Sequence, residues 1–191
     1  MTPEHVAAMA AHACLNLSAQ ELADVAAIVD KTGNFAPETE IVARFKSGTL
    51  TPGALTFFLP RLWCFRLGDS PVPIHVWRAM FEHAEYTENM VVAPRPTRTV
   101  RAYRGATEAN REGLSWSLDP EQAKYFARDR QAPGVTTARV WVTNIPAERM
   151  FARYTDGWEQ EVTADVRGLA VHPLEEEHLL PKPRAWWHWW R

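Results

Sequence analysis

The chain has 191 residues, of which 46% are hydrophobic, and this allows one large or two small domains with a substantial core. Its 21 basic and 23 acidic side chains give a net charge of −2. This balance excludes bulk electrostatic attraction to nucleic acid or to an anionic membrane, although it leaves room for a local basic patch.

The sequence also bears on location. The N-terminus lacks a basic region followed by an apolar run, and no apolar run reaches the length of about 18 residues that a membrane span needs. We therefore expect a cytoplasmic protein without membrane contact. Cys14 and Cys64 both have apolar neighbours, which favours buried thiols in a reducing compartment, with a disulfide as the alternative.

Helices are predicted over about the first 90 residues, where apolar side chains recur with helical spacing between start and stop signals. Ser18 and Glu21 form a capping box, and Pro60 inside a later apolar segment predicts a kink or a split. The predicted helices run from Ser18 to near Gly33-Asn34, from Pro37-Glu38 to Gly48, from Thr51-Pro52 to Gly68, and from Ile74 to Tyr86 after a turn at Pro71–Pro73.

The pattern changes at residues 91–96, whose two prolines indicate an extended linker. Alternating β-branched, aromatic and polar residues then predict strands, and Asp119-Pro120 predicts the start of one helix between them. The predicted strands are 99–105, 114–117, 137–143, 149–154 and 160–166. We therefore expect a helical region over 1–95 and a strand-rich domain over 96–191.

The end of the chain is unusually aromatic, because four of the nine tryptophans lie in residues 185–191. This tail is expected either to pack across the domain as an aromatic clasp or to form a surface that binds a partner.

Three short segments follow one another in the strand-rich half, and each places chemically useful side chains on a predicted strand. Taken singly, each segment also fits solvated strand residues, so the weight lies in their order. The segments are Val100–Ala106 with Arg104 and Gly105, Gly113–Leu118 with Ser115 and Ser117, and Trp158–Val162 with Glu159 and Glu161.

This ordered set resembles the Arg–Ser–Glu signature of the ADP-ribosyltransferase superfamily, in its cholera-toxin-like class, over residues 95–167. Members of that family break the nicotinamide–ribose bond of NAD. Together with the strand-rich pattern, the resemblance predicts an α+β fold. In it, a helical N-terminal region packs on a split, mostly antiparallel two-sheet core that holds an NAD cleft.

The resemblance implies a role for each residue of the first two segments. Arg104 would bind the NAD phosphate and ribose, because a planar guanidinium makes paired hydrogen bonds with phosphate oxygens. Gly105 would let the nicotinamide amide approach the backbone, where a Cβ would obstruct it. Ser115, with Ser117 on the same strand face, would orient the catalytic glutamate and the ribose. The aromatic pair that would wall the nicotinamide pocket is Tyr125 and Phe126.

The third segment would carry the catalysis. Glu161 matches the family's catalytic glutamate, whose carboxylate stabilises the cation that forms on the ribose as nicotinamide leaves. Glu159 would select and deprotonate the acceptor, and a glutamate there resembles the members that modify arginine. Trp158 and Tyr154, on a loop with the turn signal Asp156-Gly157, would present the site to its target.

The leading hypothesis is therefore mono-ADP-ribosyl transfer from NAD to a macromolecular acceptor, in particular a protein arginine, by a toxin or effector. An NAD glycohydrolase and a non-catalytic binding module on the same fold remain as alternatives, and a nucleic-acid acceptor stays open. NAD would be the co-substrate. No metal is expected, because scattered histidines such as His75 and His83 lack ligand spacing.

Overall fold

The computed structural model describes residues 2–32, 38–65, 70–128, 137–156 and 160–175. Over these residues the chain has an α+β fold of six helices and one eight-stranded mixed sheet. The helices are α1 (Pro3–His12), α2 (Ala19–Thr32), α3 (Glu38–Lys46), α4 (Pro52–Phe65), α5 (Ile74–His83) and α6 (Pro120–Arg128). The strands are β1 (Thr87–Glu88), β2 (Val91–Val92), β3 (Val100–Ala106), β4 (Ser115–Ser117), β5 (Arg139–Ile145), β6 (Met150–Tyr154), β7 (Glu161–Ala164) and β8 (His172–Pro173).

The helix starts follow the predicted capping signals. Ser18 and Glu21 form the reciprocal capping box, since each backbone amide donates to the other side chain, at 2.9 and 3.2 Å. Asp119 caps α6 by accepting from the amide of Glu121 at 3.0 Å. Pro60 lies inside an uninterrupted α4, so the apolar segment is not split.

The strand order is β2-β1-β6-β7-β4-β3-β5-β8. Within the described residues, every pair is antiparallel except β1 with β6. β3 pairs with β5 over seven residues but with β4 only through Tyr103 and Ser117. The sheet therefore has one weak junction, which we call the seam, between β3 and β4.

The first two residues of the segment predicted as a linker, Val91–Val92, form a strand, and the sheet begins just before them. β1 and β2 form a hairpin through Asn89 and Met90, which both have positive φ, at 51° and 67°. This is the conformation that a two-residue hairpin turn of type I′ requires. β1 then pairs with β6, so the sheet begins at Thr87, and α5 ends before it at His83 rather than at Tyr86.

Two apolar cores lie on the two faces of the sheet. The first unites α1–α5 with residues that include Phe151, Ala152 and Tyr154 from β6. The second contains side chains from both sides of the seam, including Ala102 and Trp141 on one side and Trp116 and Val162 on the other. The helical region thus shares its core with the sheet.

The two cysteines are exposed and are not joined by a disulfide. The burial predicted for them is wrong. Cys14 lies in the turn that follows α1, with φ of 52°, and Cys64 lies near the exposed end of α4. Among the helices that the structure describes, none combines the length and the apolarity needed to cross a lipid bilayer.

A network of charges joins the helices to the end of β7. Asp165, only 4% exposed, accepts three hydrogen bonds from the Arg167 guanidinium, at 2.7–3.1 Å. Arg78 of α5, itself 9% exposed, lies 3.3 Å from the same carboxylate. Burial by itself raises the pKa of Asp165, but the hydrogen bonds from Arg167 and the positive charges of Arg167 and Arg78 outweigh it, so the pKa lies below its ordinary value.

This network predicts a specific loss of stability in acid. A lowered folded-state pKa contributes stability that is present above the unfolded value of about 3.9 and is lost as the pH falls through the folded value. Urea unfolding should show that Asp165→Asn lowers the free energy of unfolding at neutral pH by about 3 kcal/mol, because it leaves Arg78 buried beside a neutral group. In the variant, the free energy of unfolding should also fall less as the pH is lowered, because the lowered pKa of Asp165 no longer contributes.

Asp156→Asn is the matched control, because Asp156 is an exposed aspartate. It should keep the stability of the parent protein at neutral pH. Equal effects of the two substitutions would contradict the role given to Asp165.

Candidate active site

The register of β4 on β7 brings the predicted serines and glutamate together. Ser117 lies opposite Glu161, and Ser115 lies opposite Thr163. Opposite residues of an antiparallel pair project to the same face, as do residues two apart on one strand. These four side chains therefore form one polar group on one face of the sheet, and we call this face the Glu161 face.

The Glu161 carboxylate is half-buried and is held through one oxygen. Its Oε1 accepts a hydrogen bond from Trp63 Nε1 at 2.7 Å and another from Thr163 Oγ1 at 3.0 Å. In the described part of the chain, no residue donates to Oε2. The carboxylate is thus oriented by two donors and retains an oxygen that can accept a hydrogen bond from a ligand.

Sequence reasoning missed both donors. Thr163 lies two residues after Glu161 on the same strand, so the period-2 pattern could have identified it. Trp63 lies 98 residues away, on α4, and nothing local to the glutamate indicates it. Its indole is 4% exposed and packs edge-to-face against Trp77 and Phe81.

The two serines have different surroundings. The Ser117 hydroxyl contacts the Asp119 carbonyl at 2.9 Å and the Asp119 amide at 3.0 Å, so it organises the turn into α6. The Ser115 hydroxyl makes no hydrogen bond with a described residue. The bond to Glu161 comes from Thr163, and Ser115 lies two residue pairs along the strands from the Ser117–Glu161 pair. The role of Ser115 in orienting the glutamate stays a prediction. Ser115 is left with a hydroxyl that a ligand could use.

Arg104 lies at the seam. Tyr103 shares the Glu161 face through its pairing with Ser117, so the next residue, Arg104, leaves β3 from the opposite face. Its Nη1 donates to the Ser115 carbonyl at 2.6 Å, and its Nε donates to the Asn110 carbonyl at 3.0 Å. The guanidinium that was expected to bind phosphate therefore gives two donors to the backbone around β4.

Those two bonds replace strand pairing. β3 and β4 share no paired residues beyond Tyr103 and Ser117, so the Ser115 carbonyl lacks a partner on β3. Arg104 supplies a donor at that point. Gly113 makes room for it, since a Cβ there would lie 2.4 Å from Arg104 Nη2. Arg104 thus positions the segment that carries Ser115.

The close packing of α6 on β3 explains why a glycine stands at position 105. A Cβ at this position would lie 2.0 Å from the Ala123 carbonyl oxygen and 2.5 Å from the Ala127 amide nitrogen, both in the backbone of α6. The glycine therefore lets α6 rest directly on β3. Because Gly105 and Tyr103 share a face, α6 lies on the Glu161 face.

Two helices consequently border that face, with α6 over β3 and α4 reaching Glu161 through Trp63. The predicted aromatic pair lies on α6: Tyr125, 37% exposed, and the half-buried Phe126 meet edge-to-face at 5.7 Å.

Of the residues predicted to contact the target or acceptor, only Tyr154 lies among the described residues. Trp158 and Glu159 lie in 157–159, outside the described residues. Tyr154 is not on a loop: it is the last residue of β6, lies opposite Glu161 and is only 9% exposed. It packs with the helical core because the helices cover that face of β6, so it does not present a surface to a target.

Amide side chains hold the described residues on either side of 157–159. Asn89 Oδ1 accepts from the amides of Thr155 at 2.7 Å and Asp156 at 3.3 Å. Gln122 Oε1 accepts from the amide of Gln160 at 3.1 Å. The β1–β2 hairpin and α6 therefore fix the two points at which the chain leaves and rejoins the sheet.

Comparisons with models of known protein families, with curated proteins and with solved structures find no match to this chain. In the part of the chain that is described, no three histidine, cysteine, aspartate or glutamate side chains are grouped so that they could hold a metal ion.

The packing of Gly105 predicts that Gly105→Ala destabilises the protein. The added methyl group would collide with backbone atoms of α6, and overpacking of this kind costs about 3 kcal/mol. Urea unfolding measures the loss directly. Gly48→Ala is the comparison, because Gly48 has open space but a φ of +70°, and its cost should be about 1 kcal/mol. A Gly105→Ala variant as stable as the parent protein would contradict the packing role.

Proposed function

We propose that this protein is a mono-ADP-ribosyltransferase, which cleaves the nicotinamide–ribose bond of NAD and transfers ADP-ribose to a macromolecular acceptor, in particular a protein arginine. The observation that carries the proposal is the state of Glu161. Its carboxylate is oriented by two donors through Oε1, while no described residue donates to Oε2. On the same face, the Ser115 hydroxyl makes no hydrogen bond with a described residue.

The chemistry follows from that arrangement. When the C–N bond breaks, nicotinamide leaves with the electron pair and the ribose carbon becomes cationic. A fixed carboxylate next to the ribose stabilises this charge without having to reorganise. An arginine nitrogen of the acceptor then forms the new bond to the ribose carbon, and its proton passes to a base, which we assign to Glu159.

The weak junction between β3 and β4 supports the part of the proposal that concerns the fold. The predicted two-sheet core requires a division of the strands, and the seam is the natural place, since β3 and β4 share a single residue pair. Side chains from both sides of the seam belong to the second core, among them Trp116 and Trp141. We propose that the seam is the line between the two sheets, with Arg104 holding them together across it.

Incubation of the protein with NAD that carries a label in its adenosine part, together with a cell lysate, tests the proposal. Release of nicotinamide reports cleavage, and label that stays on protein after denaturation reports transfer. Free ADP-ribose as the sole labelled product would identify a glycohydrolase. Absence of cleavage would overturn the proposed function.

Glu161→Gln should lower nicotinamide release by roughly 100-fold or more, because glutamine keeps the shape of the side chain but removes the charge that faces the developing cation. Steady-state measurement of nicotinamide checks this. Glu148→Gln, at an exposed glutamate on the 3₁₀ turn Ala147–Arg149, is the matched control and should keep the rate of the parent protein. A Glu161→Gln variant that retains more than a tenth of that rate would exclude Glu161 from the reaction.

Glu159→Gln should separate transfer from cleavage. If Glu159 takes the proton of the acceptor, its loss should reduce protein labelling strongly while slow hydrolysis of NAD continues. Protein-bound and free ADP-ribose, measured in the same reaction, give the two rates. An equal fall in both would place Glu159 in the cleavage step instead, and no change in either would remove it from the mechanism.

A further inference from the structure

We propose that Trp63 is a positioning residue for Glu161, so that the helical region supplies part of the active site. The inference rests on the proposed function, since it concerns the same carboxylate. It goes beyond that function by assigning a role to a residue on α4, outside the strands that carry the Arg–Ser–Glu set.

The hydrogen bond of Trp63 is suited to positioning. Its Nε1 lies 2.7 Å from Glu161 Oε1, which is short for an N–H donor and typical of a bond to a charged acceptor. Thr163 Oγ1 binds the same oxygen at 3.0 Å. Two donors on Oε1 fix the plane of the carboxylate and determine which oxygen remains for the ligand.

Aromatic packing holds the donor in place. The ring of Trp63 lies 5.3 Å from that of Trp77 and 5.2 Å from that of Phe81, both edge-to-face. Phe81 in turn stacks on Phe151 of β6 at 5.5 Å. This chain of rings runs from α4 through α5 to the sheet, so the indole is fixed relative to the strand next to Glu161.

The same packing indicates that Trp63 holds Glu161 in a fixed position and does not open or close a cleft. A residue that opens and closes a cleft must be able to leave its place, and such elements have few buried contacts. Trp63 is 4% exposed and packs against two aromatic rings of α5, those of Trp77 and Phe81. It is therefore part of a rigid support, and catalytic geometry is expected to be preorganised rather than assembled when NAD binds.

The test is the substitution Trp63→Phe, which keeps an aromatic ring in the cluster and removes the N–H donor. We expect kcat for nicotinamide release to fall tenfold or more with little change in KM, because the bond acts on the carboxylate that stabilises the transition state. Trp141→Phe is the matched control. Trp141 is 3% exposed in the second core and donates to the Ala106 carbonyl at 2.9 Å, so the kcat of this variant should stay within twofold of the parent protein.

A double variant shows whether Trp63 acts through Glu161. Adding Trp63→Phe to Glu161→Gln should leave kcat as it is in Glu161→Gln alone, because the two residues would contribute to one interaction. A further tenfold fall would overturn the inference, as would equal losses in Trp63→Phe and Trp141→Phe or an unchanged kcat in Trp63→Phe. These failures occur in a protein that cleaves NAD, whereas a parent protein that does not cleave NAD overturns both the inference and the proposed function.

Discussion

The antiparallel register of β4 on β7 is the constraint on which the rest of the site depends. A shift of one residue would exchange the two faces of a strand, so it would carry Glu161 into the second core and Val162 onto the Glu161 face. The strands are only three and four residues long, and few ladder bonds hold them. The register is fixed instead by burial, since Trp116 and Val162 are both fully buried on the face opposite to Glu161.

At the seam, hydrogen bonds from a side chain take the place of backbone hydrogen bonds between two strands. β3 pairs with β4 through a single residue pair. This leaves the Ser115 carbonyl without a strand partner, and Arg104 donates a hydrogen bond to it. An arginine is suited to this task because its planar fork can reach two carbonyls at once. The residue that the Arg–Ser–Glu resemblance assigns to NAD is thus engaged in building the site.

The helical region and the sheet form a single structure around Glu161. Trp63 of α4 binds the carboxylate at one end of β7, and Arg78 of α5 pairs with Asp165 just beyond its other end. Between these contacts, Phe81 and Phe151 stack across the shared core. The helices that cover the strand carrying the glutamate therefore help to set its position.

The sequence determined the local features of this protein. The capping box at Ser18, the N-cap at Asp119, the α+β content and the five central strands all follow from patterns within a few residues, because local hydrogen bonds and side-chain alternation decide them. Alternation also placed Ser115 and Ser117 on one face. Tertiary structure decided the remainder: the hairpin whose second strand begins the predicted linker, the burial of Tyr154, the seam at Arg104 and the contact of Trp63 with Glu161. Each of these joins residues that are distant in the chain, and the packing that brings them together leaves no periodic signal in either segment alone.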